Sequence, residues 1–132
     1  MSGKGADRLI LIVEDNDKNL KLTRDVLQFH GFRTAEATSG EDGVALAGEA
    51  LPDLVLMDIA LPGIDGVEAT RRLKAEPATA SIPIVALTAS VMQSDRARFE
   101  QAGFAGIIAK PIDVRVFPDQ ILGYCKPPLP ES

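Results

Sequence analysis

The sequence predicts an α/β fold, a parallel sheet with helices on both faces, on three observations. Short β-branched apolar runs recur along the chain, stretches of helical periodicity lie between them, and the two alternate strictly. Continuous apolar runs are how strands read when both faces are covered. Regular strand–helix alternation gives a parallel sheet flanked by helices. Right-handed crossovers then leave few topologies.

The first strand is expected at Leu9-Ile-Leu-Ile-Val13. A helix over Asp17–His30 follows. Leu20, Thr23, Leu27 and Leu22, Val26, Phe29 make two adjoining stripes of one broad face. Asp17 can cap its start, and Gly31 can close it in a left-handed turn. Phe32-Arg-Thr-Ala-Glu36 reads as a weaker, edge strand. Ser39-Gly-Glu-Asp42 resembles a capping box and opens a helix to about Ala50. The third strand is Leu54-Val-Leu-Met57, and Asp65-Gly-Val-Glu68 opens a helix to about Ala75. Ile82-Pro-Ile-Val-Ala-Leu87 is the fourth strand. A helix from near Met92 to Ala102 is closed by Gly103, and Gly106-Ile-Ile-Ala109 is the fifth strand. A last helix follows Pro111. If it began at Val114, Pro118 would lose a backbone bond and crowd the Val114 carbonyl. A start at Pro118 removes the conflict. The expected organisation is a flexible N-terminus over 1–8, one domain over 9–125 and a Pro-rich tail over 126–132.

A chain of 132 residues suits one domain and can bury a core without disulfides or a structural metal. The 45% apolar and 25% charged shares are those of an ordinary globular protein. A net charge of −5 disfavours nucleic acid as a partner. The single cysteine, Cys125, cannot form an internal disulfide and reads as a packed apolar residue. No signal peptide and no bilayer-spanning run is visible, so a cytoplasmic protein without membrane insertion is expected. His30 at a helix C-terminus is favoured by the helix dipole and needs no chemical role. Arg71, Arg72 and Lys74 read as a solvated basic face.

In open α/β sheets the ligand sits at the carboxyl ends of the strands. Those ends carry Glu14 and Asp15, then Asp58, Thr88, and Lys110 before Pro111. Three carboxylates crowded together repel one another unless a cation neutralises them. Mg²⁺ suits carboxylate, carbonyl and water oxygens. Asp15 and Asp58 are the natural direct ligands, the backbone carbonyl of Ala60 a third, and Glu14 holds an outer place. With Lys110 the charges sum to about zero, which leaves room for a phosphoryl group. Asp58 can act as nucleophile and form an aspartyl-phosphate. The Thr88 hydroxyl and the Ala89 backbone N–H can donate to phosphoryl oxygens, and Lys110 can stabilise their charge.

Leu11-Ile-Val-Glu-Asp-Asn16, Asp53-Leu-Val-Leu-Met-Asp-Ile-Ala-Leu-Pro-Gly-Ile-Asp-Gly66, Ile82-Pro-Ile-Val-Ala-Leu-Thr-Ala89 and Lys110-Pro111-Ile112 resemble response regulator receiver domains. The likeness runs from about Leu9 to Tyr124 and is strongest to stand-alone regulators of the DivK type. The resemblance implies a flavodoxin-like fold with strand order 2-1-3-4-5. It implies Glu14 and Asp15 as the acidic pair, Asp58 as phosphoacceptor, Thr88 as switch hydroxyl and a cis Lys110–Pro111 bond. It also implies a sensor histidine kinase or histidine phosphotransfer protein as donor. Output then passes by onward phosphotransfer or by binding a downstream target. The chain has Ile107 where many receivers place an aromatic. The signal is therefore expected to leave by repacking of a face that includes Arg96, Arg98, Phe99 and Ile107. Two other readings compete. A haloacid-dehalogenase-like phosphatase also uses Asp and Mg²⁺, but its second Asp is missing from Asp58-Ile-Ala-Leu-Pro62. A phosphate-independent scaffold leaves the five-residue set unexplained.

Overall fold

The structure is a computed structural model and describes residues 7–89 and 93–125. The expected helix start at Met92, residues 1–6 and the tail over 126–132 lie outside the described residues. Among the described residues ten elements alternate. They are β1 (Leu9–Val13), α1 (Asp17–Phe29), β2 (Arg33–Ala37), α2 (Gly40–Ala50), β3 (Leu54–Asp58), α3 (Gly66–Ala75), β4 (Ile84–Thr88), α4 (Gln93–Ala102), β5 (Gly106–Ala109) and α5 (Phe117–Tyr124). The five strands form one parallel sheet in the order β2-β1-β3-β4-β5. This is the flavodoxin-like arrangement.

Two apolar layers sandwich the sheet. On one face Leu11, Val13, Val55, Met57, Ile84 and Ala86 meet Ala47, Leu73 and Phe99. On the other Ile10, Ile12, Leu54, Leu56, Val85 and Leu87 meet Leu20, Leu27, Phe117 and Ile121. Every residue of β3 and β4 is buried, which explains their unbroken apolar runs. Each such Leu, Ile or Val contributes roughly 1.5–3 kcal/mol by leaving water. β2 sits at the edge and is only partly covered, as its mixed sequence demands. Arg24 and Gln28 of α1 pair with Glu36 and Thr34 beside that edge.

The helix ends follow their capping residues, with one correction. Ser39 Oγ accepts from the Asp42 N–H, and Asp65 Oδ1 from the Glu68 N–H. α1 is capped by Asn16, whose Oδ1 accepts from the Asn19 N–H, and not by Asp17. Its C-terminus turns through Gly31 at φ +88°, a conformation open to glycine. α1 also buries a narrower face than its sequence suggests. Leu20, Thr23 and Leu27 go inward, whereas Leu22 is 42% exposed and Phe29 84% exposed. α5 starts at Phe117, which puts Pro118 in its first turn, where a missing N–H costs no helical bond. Its Tyr124 side chain reaches over Gly106 of β5. A Cβ at Gly106 would collide with the hydroxyl end of that ring, so a larger residue there forces the ring to move.

Phe99 departs from the sequence reading. It is 2% exposed and packs edge-to-face on Phe104, with ring centroids 5.5 Å apart. It supports α4 from beneath and does not face solvent. Arg96 and Arg98 on the same helix are exposed.

Candidate functional site

Parallel strands bring their carboxyl ends to one rim, and the chemistry-bearing residues stand there by register. Asp58 is the last residue of β3 and Thr88 the last of β4. Glu14 follows β1, and Lys110 follows β5. The Lys110 N–H donates to the Thr88 carbonyl, and the Glu14 N–H to the Ala37 carbonyl. Both loops are thereby tied to their neighbouring strands. The Lys110–Pro111 bond is cis.

Carboxylate oxygens of Glu14, Asp15 and Asp58 all lie within 4.8 Å of one another. Asp15 is exposed, while Glu14 and Asp58 are 1% and 3% exposed. Lys110 Nζ stands 2.8 Å from Glu14 Oε1 and 3.1 Å from Asp58 Oδ1. The Ala60 N–H donates to the same Asp58 oxygen at 3.1 Å. Thr88 is 9% exposed, at the end of the adjacent strand, and Ala89 is exposed beside it.

Burial and charge set the protonation of this cluster. Burial is the largest influence on Glu14 and raises its carboxyl to about 6, with Asp58 adding to the rise against the pull of Lys110. For Asp58 burial is again the largest influence and acts upward. Hydrogen bonds from Glu14, Lys110 and the Ala60 N–H outweigh it, so Asp58 stays below the usual carboxylate range. Burial would lower the Lys110 ammonium, but its two carboxylate partners raise it. The arrangement keeps Asp58 ionised, makes Glu14 the member that gives up charge first, and leaves Lys110 protonated. An ionised Asp58 is a nucleophile, and the oxygen-only donor set fits a hard divalent cation.

All five residues singled out from the strand ends therefore converge on one rim. Sequence reasoning missed Gly66. Its N–H donates to the Ile59 carbonyl at 3.1 Å, closing the loop after Asp58. A Cβ there would collide with the Asp58 carbonyl, so α3 can start this close to the site only from glycine. The signal was present in Ile64-Asp65-Gly66 but was read only as a cap.

Fold and rim together define a flavodoxin-like α/β domain whose acidic cluster is closed by a lysine. The chain belongs to the response regulator receiver domain family, whose model matches residues 10–121. It is a DivK-like receiver domain in two-component signalling. The polar-differentiation response regulator DivK of Brucella ovis is 43% identical over 115 residues, covering 87% of this chain and 94% of the relative. The receiver domain of the sensor histidine kinase PA1611 from Pseudomonas aeruginosa PAO1 is 37% identical with a TM-score of 0.80. That match covers 89% of this chain and 95% of that one, and that structure holds a magnesium ion coordinated in its active site cleft. The Vibrio cholerae chemotaxis protein CheY4 shares the fold at a TM-score of 0.86 and 21% identity, over 90% of this chain and 99% of that one.

Proposed function

We propose that Asp58 accepts a phosphoryl group from the phosphohistidine of a sensor kinase or phosphotransfer protein. The observation that carries this is the environment of Asp58: a buried carboxylate kept ionised, with Lys110 Nζ 3.1 Å away and two further carboxylates within 4.8 Å. An Asp58 oxygen attacks phosphorus, the phosphorus–nitrogen bond breaks, and the imidazole leaves with the bond's electrons and takes up a proton. Lys110 balances charge on the transferred group, and the Thr88 hydroxyl and Ala89 N–H donate to its oxygens.

Asp15, Asp58 and the Ala60 carbonyl suit Mg²⁺, with Glu14 in an outer role. Bound there, the ion would offset the repulsion between Asp58 and an incoming phosphoryl group. The chemistry is limited to the protein's own phosphorylation and dephosphorylation, with no turnover of a separate substrate. Output runs through contacts or onward phosphotransfer, with exposed Arg96 and Arg98 of α4 and Ile107 of β5 on the responding face. The reading puts the protein in the cytoplasm beside its kinase. No helix among the described residues is long and apolar enough to cross a membrane.

Incubation with acetyl phosphate and Mg²⁺, followed by intact-mass analysis, tests the assignment. One added phosphoryl is expected, absent without Mg²⁺ and absent in Asp58→Asn. Modification that persists in the variant overturns it.

A further inference from the structure

Of the basic run Arg71, Arg72 and Lys74 on α3, only the two arginines are exposed. Lys74 is drawn into the turn between α3 and β4. Its Nζ donates to the Ala80 carbonyl at 3.0 Å and to the Ile82 carbonyl at 2.7 Å. Its stem lies against Gly103 at the end of α4, where an added Cβ would stand 2.8 Å from Lys74 Cγ. That packing and those two bonds fix where the amine sits.

The other described lysines have different surroundings. Lys18 and Lys21 are exposed, and Lys21 pairs with Asp25. Lys110 is held by Glu14 and Asp58, which keep it protonated. Burial pushes the Lys74 ammonium below the usual lysine range, and no carboxylate among the described residues pulls it back. The neutral amine also matches its acceptors. It has two N–H groups for the two carbonyls and one lone pair left over. A desolvated lysine, or one beside another cation, is an activated nucleophile. The nearby cation is Arg71, three residues earlier and so a neighbour on the helix surface. Arg72 is engaged by Glu68 at 3.1 Å, whereas Arg71 has no ion-pair partner among the described residues.

We propose that Lys74 is an acylation site that takes its acyl group from an acyl phosphate, with Arg71 holding the phosphate. The Lys74 nitrogen attacks the acyl carbon, and the carbon–oxygen bond to phosphate breaks. Phosphate leaves with that electron pair and takes up the proton lost by the nitrogen. The product amide keeps one N–H, so either the Ala80 or the Ile82 carbonyl loses its donor. The site is separate from the rim. Lys74 lies eight residues beyond Gly66, about 12 Å along α3 from the loop that follows Asp58.

The test incubates the protein with acetyl phosphate, samples over time and maps acetylation by peptide mass spectrometry. Lys74 should be acetylated about tenfold faster than Lys18 or Lys21. In urea strong enough to unfold the chain, the three rates should converge. Arg71→Gln should slow the reaction at Lys74 about threefold and leave Lys18 unchanged, and Arg71→Lys should restore most of the rate. An acetyl thioester without a phosphate should react at Lys74 equally in Arg71→Gln and in the unaltered protein. Lys74 reacting no faster than Lys18, or a preference that survives urea, overturns the proposal. So does a rate with acetyl phosphate that is indifferent to Arg71, or a rate with the thioester that depends on it.

Discussion

Without divalent metal, the fold should lose stability as pH rises from 4.5 through about 6, and Glu14→Gln should abolish that loss. Glu14 is 1% exposed, and folding lifts its carboxyl from 4.5 to about 6. A group whose folded pKa is raised holds its proton more tightly in the folded state. Its stabilising contribution is complete below 4.5 and is lost as pH passes about 6. The difference corresponds to about 2 kcal/mol. Asp58 has the opposite sign and a separate window. Its pKa is lowered, so its contribution is present above 3.8 and is lost only as pH falls through its folded value. Lys110 is raised above 10.5 and acts only in strong base. Glutamine keeps the size of Glu14 and a donor for Asp58 but does not titrate. Urea unfolding in a chelator, followed by circular dichroism across this pH range, gives the two stability curves. Their separation should change by about 2 kcal/mol from one end to the other. Curves that run parallel through pH 6 would refute the protonation scheme derived for the rim.

Three further outcomes follow from the same geometry. Asp15→Asn should weaken Mg²⁺ binding in calorimetric titration more than Glu14→Gln does; the reverse order would exchange the direct and outer roles. Gly106→Ala should destabilise the fold by about 1–3 kcal/mol through overpacking. Adding Tyr124→Ala should recover part of the loss, and a simple sum of the two effects would show that the ring and the glycine do not interact. Self-dephosphorylation should be slow, because Ala60, two residues past Asp58, has no polar atom to orient a water. Ala60→Asn should shorten the phosphoryl lifetime about tenfold, as followed by intact mass, and an unchanged lifetime removes the argument.

β1, β3 and β4 were legible because burial on both faces leaves no alternation to misread. The five rim residues were legible because a parallel sheet sends every strand's carboxyl end the same way. α1 shows the limit. Its two apolar stripes were read as one broad face, but Leu20 and Leu22 stand about 160° apart around the helix axis, too far for both to meet one sheet. The sheet takes Leu20, Thr23 and Leu27, leaving Leu22 and Phe29 to solvent. Phe99 failed in the other direction. It was read with the arginines around it, but the space beside Phe104 draws it into the core. Gly66 makes room for the Asp58 carbonyl at the start of its own loop, and its sign in Ile64-Asp65-Gly66 was read only as a cap. Gly106 makes room for the Tyr124 ring of another element, a neighbour that no local pattern encodes.

The strand order also bears on when the protein becomes competent during its own synthesis. β1 is interior, between β2 and β3, so the first strand made waits for both neighbours before its edges are satisfied. Lys110 arrives on the fifth strand, after every other member of the rim. A nascent chain that stops short of β5 already carries Glu14, Asp15 and Asp58 in its sequence. It lacks the cation that balances them, and the sheet edge at β4 stands open. Parallel pairings of this kind close long loops and form slowly. If Lys110 has the role proposed for it, an incomplete chain carries the acids without their ammonium, and competence to take up phosphate arrives only with the last strand.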